Sequence, residues 1–153
     1  MDPEYTDRFL QTVRTAPDES RQEILHRAYA SVIQGNFEAF ADSVTGDVEL
    51  HISGFAPMDG AWRGRQQVID ATRNNVALVS NQQPVIESMI SQGDCVGVLL
   101  RESGILKSTG QPYSIRGVQW FTFSNGKIRR IDQIAAGVTA SHPIPPPPST
   151  PHP

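Results

Sequence analysis

Three side chains have the types needed for proton-transfer chemistry. His51 sits in a strand-like stretch, Asp59 in the Gly/Pro-broken loop behind it, and Arg101 at the end of an apolar run. An unperturbed histidine titrates at about 6.5, so His51 suits a general acid or base near neutral pH. An arginine at the same site would hold a carboxylate, enolate or phenolate oxygen. Asp59 at a pocket mouth would assist as acid or base, or would stand solvated in its loop. Arg101 has a plain structural alternative, pairing with Glu102, Glu87 or Asp132, because a buried cation needs an anion. His51 is ambiguous in direction. Val48, Leu50 and Ile52 alternate with Glu49 and His51, which sets the histidine opposite the apolar face. A bulge near Ser53-Gly54 would turn it inward. Both orientations are open at this point.

The elements that must position these groups follow from hydrophobic spacing. Residues 1–15 carry Tyr5, Phe9, Leu10 and Val13 at roughly helical intervals, which predicts a short N-terminal helix. Residues 17–34 form a longer helix with Ile24, Leu25, Ala28, Tyr29, Val32 and Ile33 as its apolar stripe. Gly35 ends it and Asn36 caps a second short helix, with Phe37, Phe40, Ala41 and Val44 at i, i+3, i+4 and i+7. Residues 47–53 are a strand and 54–63 a loop. Residues 64–79 are a third helix with Val68, Ile69, Thr72, Val76 and Val79 inward. The period then changes to two. Strands are expected over 85–91, 95–103, 113–123 and 127–136, with turns at Gly93-Asp94 and Asn125-Gly126. Helices first and strands last make an α+β fold, a curved antiparallel sheet with helices on one face.

The totals narrow the function classes. The chain has 153 residues, long enough for one cored domain, and a formal charge of −3. That charge gives no basic face for a polyanion, so no nucleic-acid partner is expected. No apolar run reaches the roughly 18 residues of a membrane span, and residues 1–16 lack a signal-peptide pattern. A cytoplasmic chain with no membrane partner is the expectation. The single cysteine, Cys95, reads as a small buried hydrophobe. His26, His51, His142 and His152 have no metal-ligand spacing, and Gly54, Gly60 and Gly64 match no phosphate or dinucleotide loop. No metal and no cofactor are expected. Residues 141–153 hold seven of the twelve prolines and read as a disordered tail beyond a domain spanning 17–140.

Four short motifs occur in order. They are Gln34-Gly35-Asn36-Phe37-Glu38-Ala39-Phe40, Gly46-Asp47-Val48-Glu49-Leu50-His51-Ile52, Gly60-Ala61-Trp62-Arg63-Gly64-Arg65-Gln66-Gln67-Val68 and Phe123-Ser124-Asn125-Gly126-Lys127-Ile128. Each alone is weak. Together, over residues 20–136, the chain resembles the SnoaL-like branch of the nuclear transport factor 2 and ketosteroid isomerase superfamily. The resemblance implies a cone in which the curved sheet carries three helices on its concave face around a deep pocket. It also implies a small-molecule ligand and a homodimer.

Function does not follow from such a fold, because the superfamily holds isomerases, dehydratases, epoxide hydrolases, cyclases and binders. Against the ketosteroid isomerase pattern, Ile52 takes the place of the base, Ala28 or Tyr29 that of the tyrosine donor, and Val118 that of the donor acid. Against limonene epoxide hydrolase, Arg101 matches, but Ser103 stands where a carboxylate belongs. The reading is a cofactor-independent isomerase, cyclase or dehydratase of a small apolar oxygenated metabolite, with His51, Arg101 and Asp59 as its acid–base set. Tyr29, Ile52, Met58 and Trp62 are expected around the ligand. Leu99, Arg116, Val118, Trp120 and Gln133 are expected as the sheet's contribution. The alternative is a non-catalytic binding or dimeric assembly module.

Overall fold

A computed structural model describes residues 19–135. The expected N-terminal helix over 1–16 and the Pro-rich tail over 141–153 lie outside the described residues. Helix α1 (Glu19–Ile33) buries Leu25 and Ala28 and half-buries Ile24, Tyr29 and Val32, the stripe its spacing predicts except for Ile33, which is exposed at the helix end. Gly35 closes it in the left-handed region at φ 71°, where a Cβ is costly. Asn36 then caps α2 (Phe37–Asp42), its side chain accepting the Ala39 N–H at 3.1 Å. Val44 does not belong to that helix. It opens strand β1 (Val44–Ser53) and is wholly buried there.

The expected loop after β1 contains a strand of its own. A 3-10 turn (Ala56–Met58) leads into β2 (Gly60–Arg63), which pairs antiparallel with β1 from Glu49↔Arg63 to Ile52↔Gly60. Helix α3 (Arg65–Ala77) buries Val68, Ile69 and Ala71. Four long strands follow: β3 (Val79–Gln92), β4 (Cys95–Leu106), β5 (Pro112–Ser124) and β6 (Lys127–Ala135). Among the described residues the sheet has six strands in the order β2-β1-β6-β5-β4-β3 and does not close on itself.

The sheet is mixed rather than purely antiparallel. α3 carries the chain from β2 to the far edge, and the meander from β3 returns to lay β6 parallel to β1. Register shifts interrupt β3 between Ser80 and Gln83 and between Ile86 and Ser88. Such bulges bend a strand and raise its twist, which curves this edge. The three helices cover one face of the sheet. Leu50, Ile52, Leu100, Phe121 and Ile131 point into that covered side and are buried. No helix among the described residues is long and apolar enough to cross a membrane.

Candidate functional site

A cavity of about 180 Å³ lies between the three helices and the covered face of the sheet. Its walls are mostly apolar, among them Leu25, Ile52, Met58, Leu100, Phe121 and Ile131. Ile33, Gln82 and Pro84 line it too and are exposed, so it opens between the end of α1 and the start of β3. Apolar walls with a few convergent polar groups are the usual make-up of a small-molecule site.

Thr72, Asn75 and Gln82 add polar atoms to the lining, and two hydrogen-bonded polar groupings stand out in it. In the first, the Tyr29 hydroxyl donates to Gln119 Oε1, and Gln119 Nε2 donates to Gln133 Oε1 at 3.0 Å. Burial holds the Tyr29 phenol above its ordinary value of 10.0, so it is a neutral donor. With its oxygen used by Gln119, Gln133 has amide N–H groups left for a ligand's oxygen.

The second grouping is Glu102 with Tyr113. The Tyr113 hydroxyl donates to Glu102 Oε1 at 2.6 Å, a length typical of a charge-assisted bond. Tyr113 is buried and its ring packs on Phe55 with centroids 5.4 Å apart. Burial, and then the Glu102 bond, keep this phenol protonated as well. Gly104 makes room for the ring: an added Cβ there would come within 2.8 Å of Tyr113 Cε1 and 3.0 Å of the Ser80 carbonyl oxygen. Glu102 is half-buried on the cavity wall, and among the described residues no cation pairs with it.

Of the residues singled out from the sequence, Tyr29, Ile52, Met58 and Gln133 line this cavity. Trp62 stands opposite Leu50 and packs against the core, its ring over Gly60. Asp59 is exposed and accepts the Phe55 N–H at 2.8 Å, fixing the 3-10 turn. The remaining residues lie on the outer face. No register shift occurs between Glu49 and Ser53, so alternation keeps His51 opposite Leu50 and Ile52. There its Nε2 lies 3.2 Å from Glu49 Oε2. Arg130 holds Asp132 with two hydrogen bonds and Glu49 with a third. The His51 contact, and then Arg130 and Arg63, keep the Glu49 carboxyl below its ordinary range.

Arg101 is likewise outward, next to inward Leu100 and Glu102. Its Nε lies 2.6 Å from Glu87, which Arg116 also holds at 2.8 and 3.0 Å. Leu99, Val118 and Trp120 share that outer face, Leu99 directly opposite Val118 and Trp120 opposite Gly97. On β5 it is the odd-numbered residues, Gln119 and Phe121 among them, that face the helices. The structure therefore does not bring His51, Arg101 and Asp59 together. The groups that sequence reasoning missed as site residues are Glu102 and Gln119. Gln119 was visible as a lone amide sharing parity with Tyr113, Ile115, Phe121 and Phe123. Among the described residues no group of three or more His, Cys, Asp or Glu side chains could hold a metal.

The SnoaL-like domain family matches residues 25–131. An NTF2-like protein from Burkholderia xenovorans LB400 is 19% identical, with 78% of this chain and 91% of that one aligned at a TM-score of 0.68. A SnoaL-like protein from Jannaschia sp. CCS1 is 17% identical over 80% and 90% of the two chains at 0.70. A protein of ketosteroid isomerase-like fold from Catenulispora acidiphila DSM 44928, crystallised with trimethylamine, is 17% identical over 72% and 83% at 0.62. At these identities the likeness is one of fold. No curated protein matches the sequence.

Proposed function

The chain belongs to the SnoaL-like domain family, and from that premise we propose that it is a cofactor-independent isomerase, cyclase or dehydratase acting on a small apolar oxygenated molecule held in the cavity. The observation that carries this reading is the Tyr29–Gln119–Gln133 hydrogen-bonded chain set in a mostly apolar wall. Neutral donors fixed in a low-dielectric cavity favour an oxygen on which negative charge develops, and they do so without reorganising. The apolar remainder selects the carbon skeleton. This reading draws its chemistry from the cavity wall rather than from His51, Arg101 or Asp59, whose partners lie on the outer face or in the β1–β2 loop.

The test uses 2-naphthol, a two-ring molecule with one oxygen, followed by its fluorescence on titration. It should bind the protein. Leu100→Trp, which fills the cavity, should abolish binding, whereas Arg101→Ala on the opposite face should leave it unchanged. Binding that survives Leu100→Trp, or that depends on Arg101, would sink the reading.

A second reading has its own support. Val85, Ile90, Val118 and Ile134 are exposed apolar residues, with Val118 and Ile134 directly opposite one another on the face that no helix covers among the described residues. Patches of this kind mark association surfaces, and a homodimer of a binding or assembly module would use this one.

A further inference from the structure

We propose that Glu102 is the catalytic base of this cavity and that Tyr113 is the residue that positions it. The inference rests on the reading that the cavity holds the substrate. Three observations carry it. Glu102 is a carboxylate on the cavity wall, and among the described residues no Lys, Arg or His pairs with it. Its neighbours Arg101 and Ser103 point to the other face, so alternation alone aims it at the helices. One of its oxygens is tied by Tyr113 at 2.6 Å, which leaves Oε2 with no protein donor among the described residues. A carboxylate held by one neutral donor, half out of water and unneutralised, is built to take a proton from a ligand.

Tyr113 cannot do this itself, because burial and the Glu102 bond keep it protonated. Its part is orientation. The ring is fixed between Phe55 and the space left by Gly104, and the hydroxyl fixes the carboxylate.

The same register defines the ligand's shape. Val98 stands opposite Gln119, and Glu102 lies four positions further along β4, about 13 Å at the usual rise of a strand. The amide chain and the carboxylate are therefore set at separate points along the cavity wall. The substrate class is an elongated apolar molecule with an acceptor oxygen at the amide end, conjugated to an acidic C–H at the Glu102 end so that the charge released there reaches that oxygen.

The probe for the base is 5-nitrobenzisoxazole, a two-ring compound that opens when a base removes its ring C–H. The Glu102 carboxylate takes that proton, the C–H electron pair forms the nitrile, and the N–O bond breaks to leave a coloured phenolate. Water then takes the proton from Glu102. Initial rates, with probe affinity measured separately by tryptophan fluorescence, should exceed the buffer rate by about a hundredfold. Glu102→Gln should bring the rate to the buffer value with probe affinity retained and the thermal unfolding midpoint unchanged. Tyr113→Phe, which keeps the ring and loses only the hydroxyl, should lower kcat about fivefold with KM unchanged. Full activity in Glu102→Gln overturns the assignment and leaves the cavity reading standing, as does a wild-type protein that binds the probe without accelerating its opening. A protein that does not bind the probe, or binds it equally in Leu100→Trp, overturns both. A Tyr113→Phe protein with unchanged kcat removes Tyr113 from the proposal.

Discussion

The two buried phenols make a prediction about alkaline pH. Tyr29 and Tyr113 are both held above the ordinary 10.0, each chiefly by burial, so the folded state keeps protons that the unfolded chain gives up. Below pH 10 both states are protonated and stability does not depend on either group. Above pH 10 the unfolded chain ionises first and binds fewer protons, so stability falls as pH rises. Urea unfolding at pH 8, 10 and 11 should show a steep loss over the upper interval. Tyr29→Phe and Tyr113→Phe should each flatten it, and an unchanged slope in both variants would refute the assignment. At this scale the sequence was legible where only one face of a strand is apolar. Leu50 and Ile52 against Glu49 and His51 pointed to the sides β1 adopts, and only the bulge considered near Ser53-Gly54 kept the inward orientation of His51 open. It was not legible on β5, where Val118 and Trp120 on one face compete with Ile115 and Phe121 on the other. Alternation then has two solutions, and the wrong one puts Arg116, Val118 and Trp120 in the pocket and leaves Gln119 out.

Among the elements, the glycines show how much space decides. Gly35 and Gly54 both adopt positive φ, 71° and 91°. A Cβ at Gly35 meets nothing within 4 Å, whereas at Gly54 it would collide with the Ala135 carbonyl, because the end of β1 runs tight against the end of β6. Gly35→Ala should therefore cost about 1 kcal/mol of unfolding free energy, the backbone penalty alone. Gly54→Ala should cost about 3 kcal/mol or more, since β6 must also move. Equal midpoints in urea would show that β6 yields to the added methyl without cost. Gly104→Ala belongs here too. It displaces Tyr113, and in 5-nitrobenzisoxazole opening its effect on kcat should resemble that of Tyr113→Phe while its unfolding midpoint falls further. The helices and most of the long strands were legible because their apolar spacing is local, but β3 starts at Val79, where the spacing alone extends the helix. β2 was not: four residues including Gly60 carry no period of their own, and the strand forms only because β1 supplies its ladder. The parallel β1–β6 pairing was equally hidden, since its partners are about eighty residues apart and no local signal encodes them.

For the whole molecule the decisive feature is that, among the described residues, helices cover only one side of the sheet. On the other side Ile134 and Val118 face one another across β6 and β5, Leu99 continues the row on β4, and Val85 and Ile90 stand exposed on β3. The charges around this band are already engaged within the chain. Glu87 holds Arg101 and Arg116, and Arg130 holds Glu49 and Asp132. That matters for a two-fold contact, in which each patch meets its own copy and an unbalanced patch would repel itself. An apolar band flanked by internally neutralised ion pairs suits a second copy of this chain better than it suits a strongly charged partner. Light scattering should then give twice the chain's 16.8 kDa. The double substitution Val118→Glu and Ile134→Glu places two like charges opposite each other at the centre of the band and should leave a single-chain mass. Because the cavity lies on the other side of the sheet, 2-naphthol should bind this variant as it binds the parent. A parent protein of single-chain mass would dismiss the dimer. Loss of naphthol binding together with the dimer would mean that the two faces are coupled through the sheet, so that closing one face is what shapes the cavity behind it.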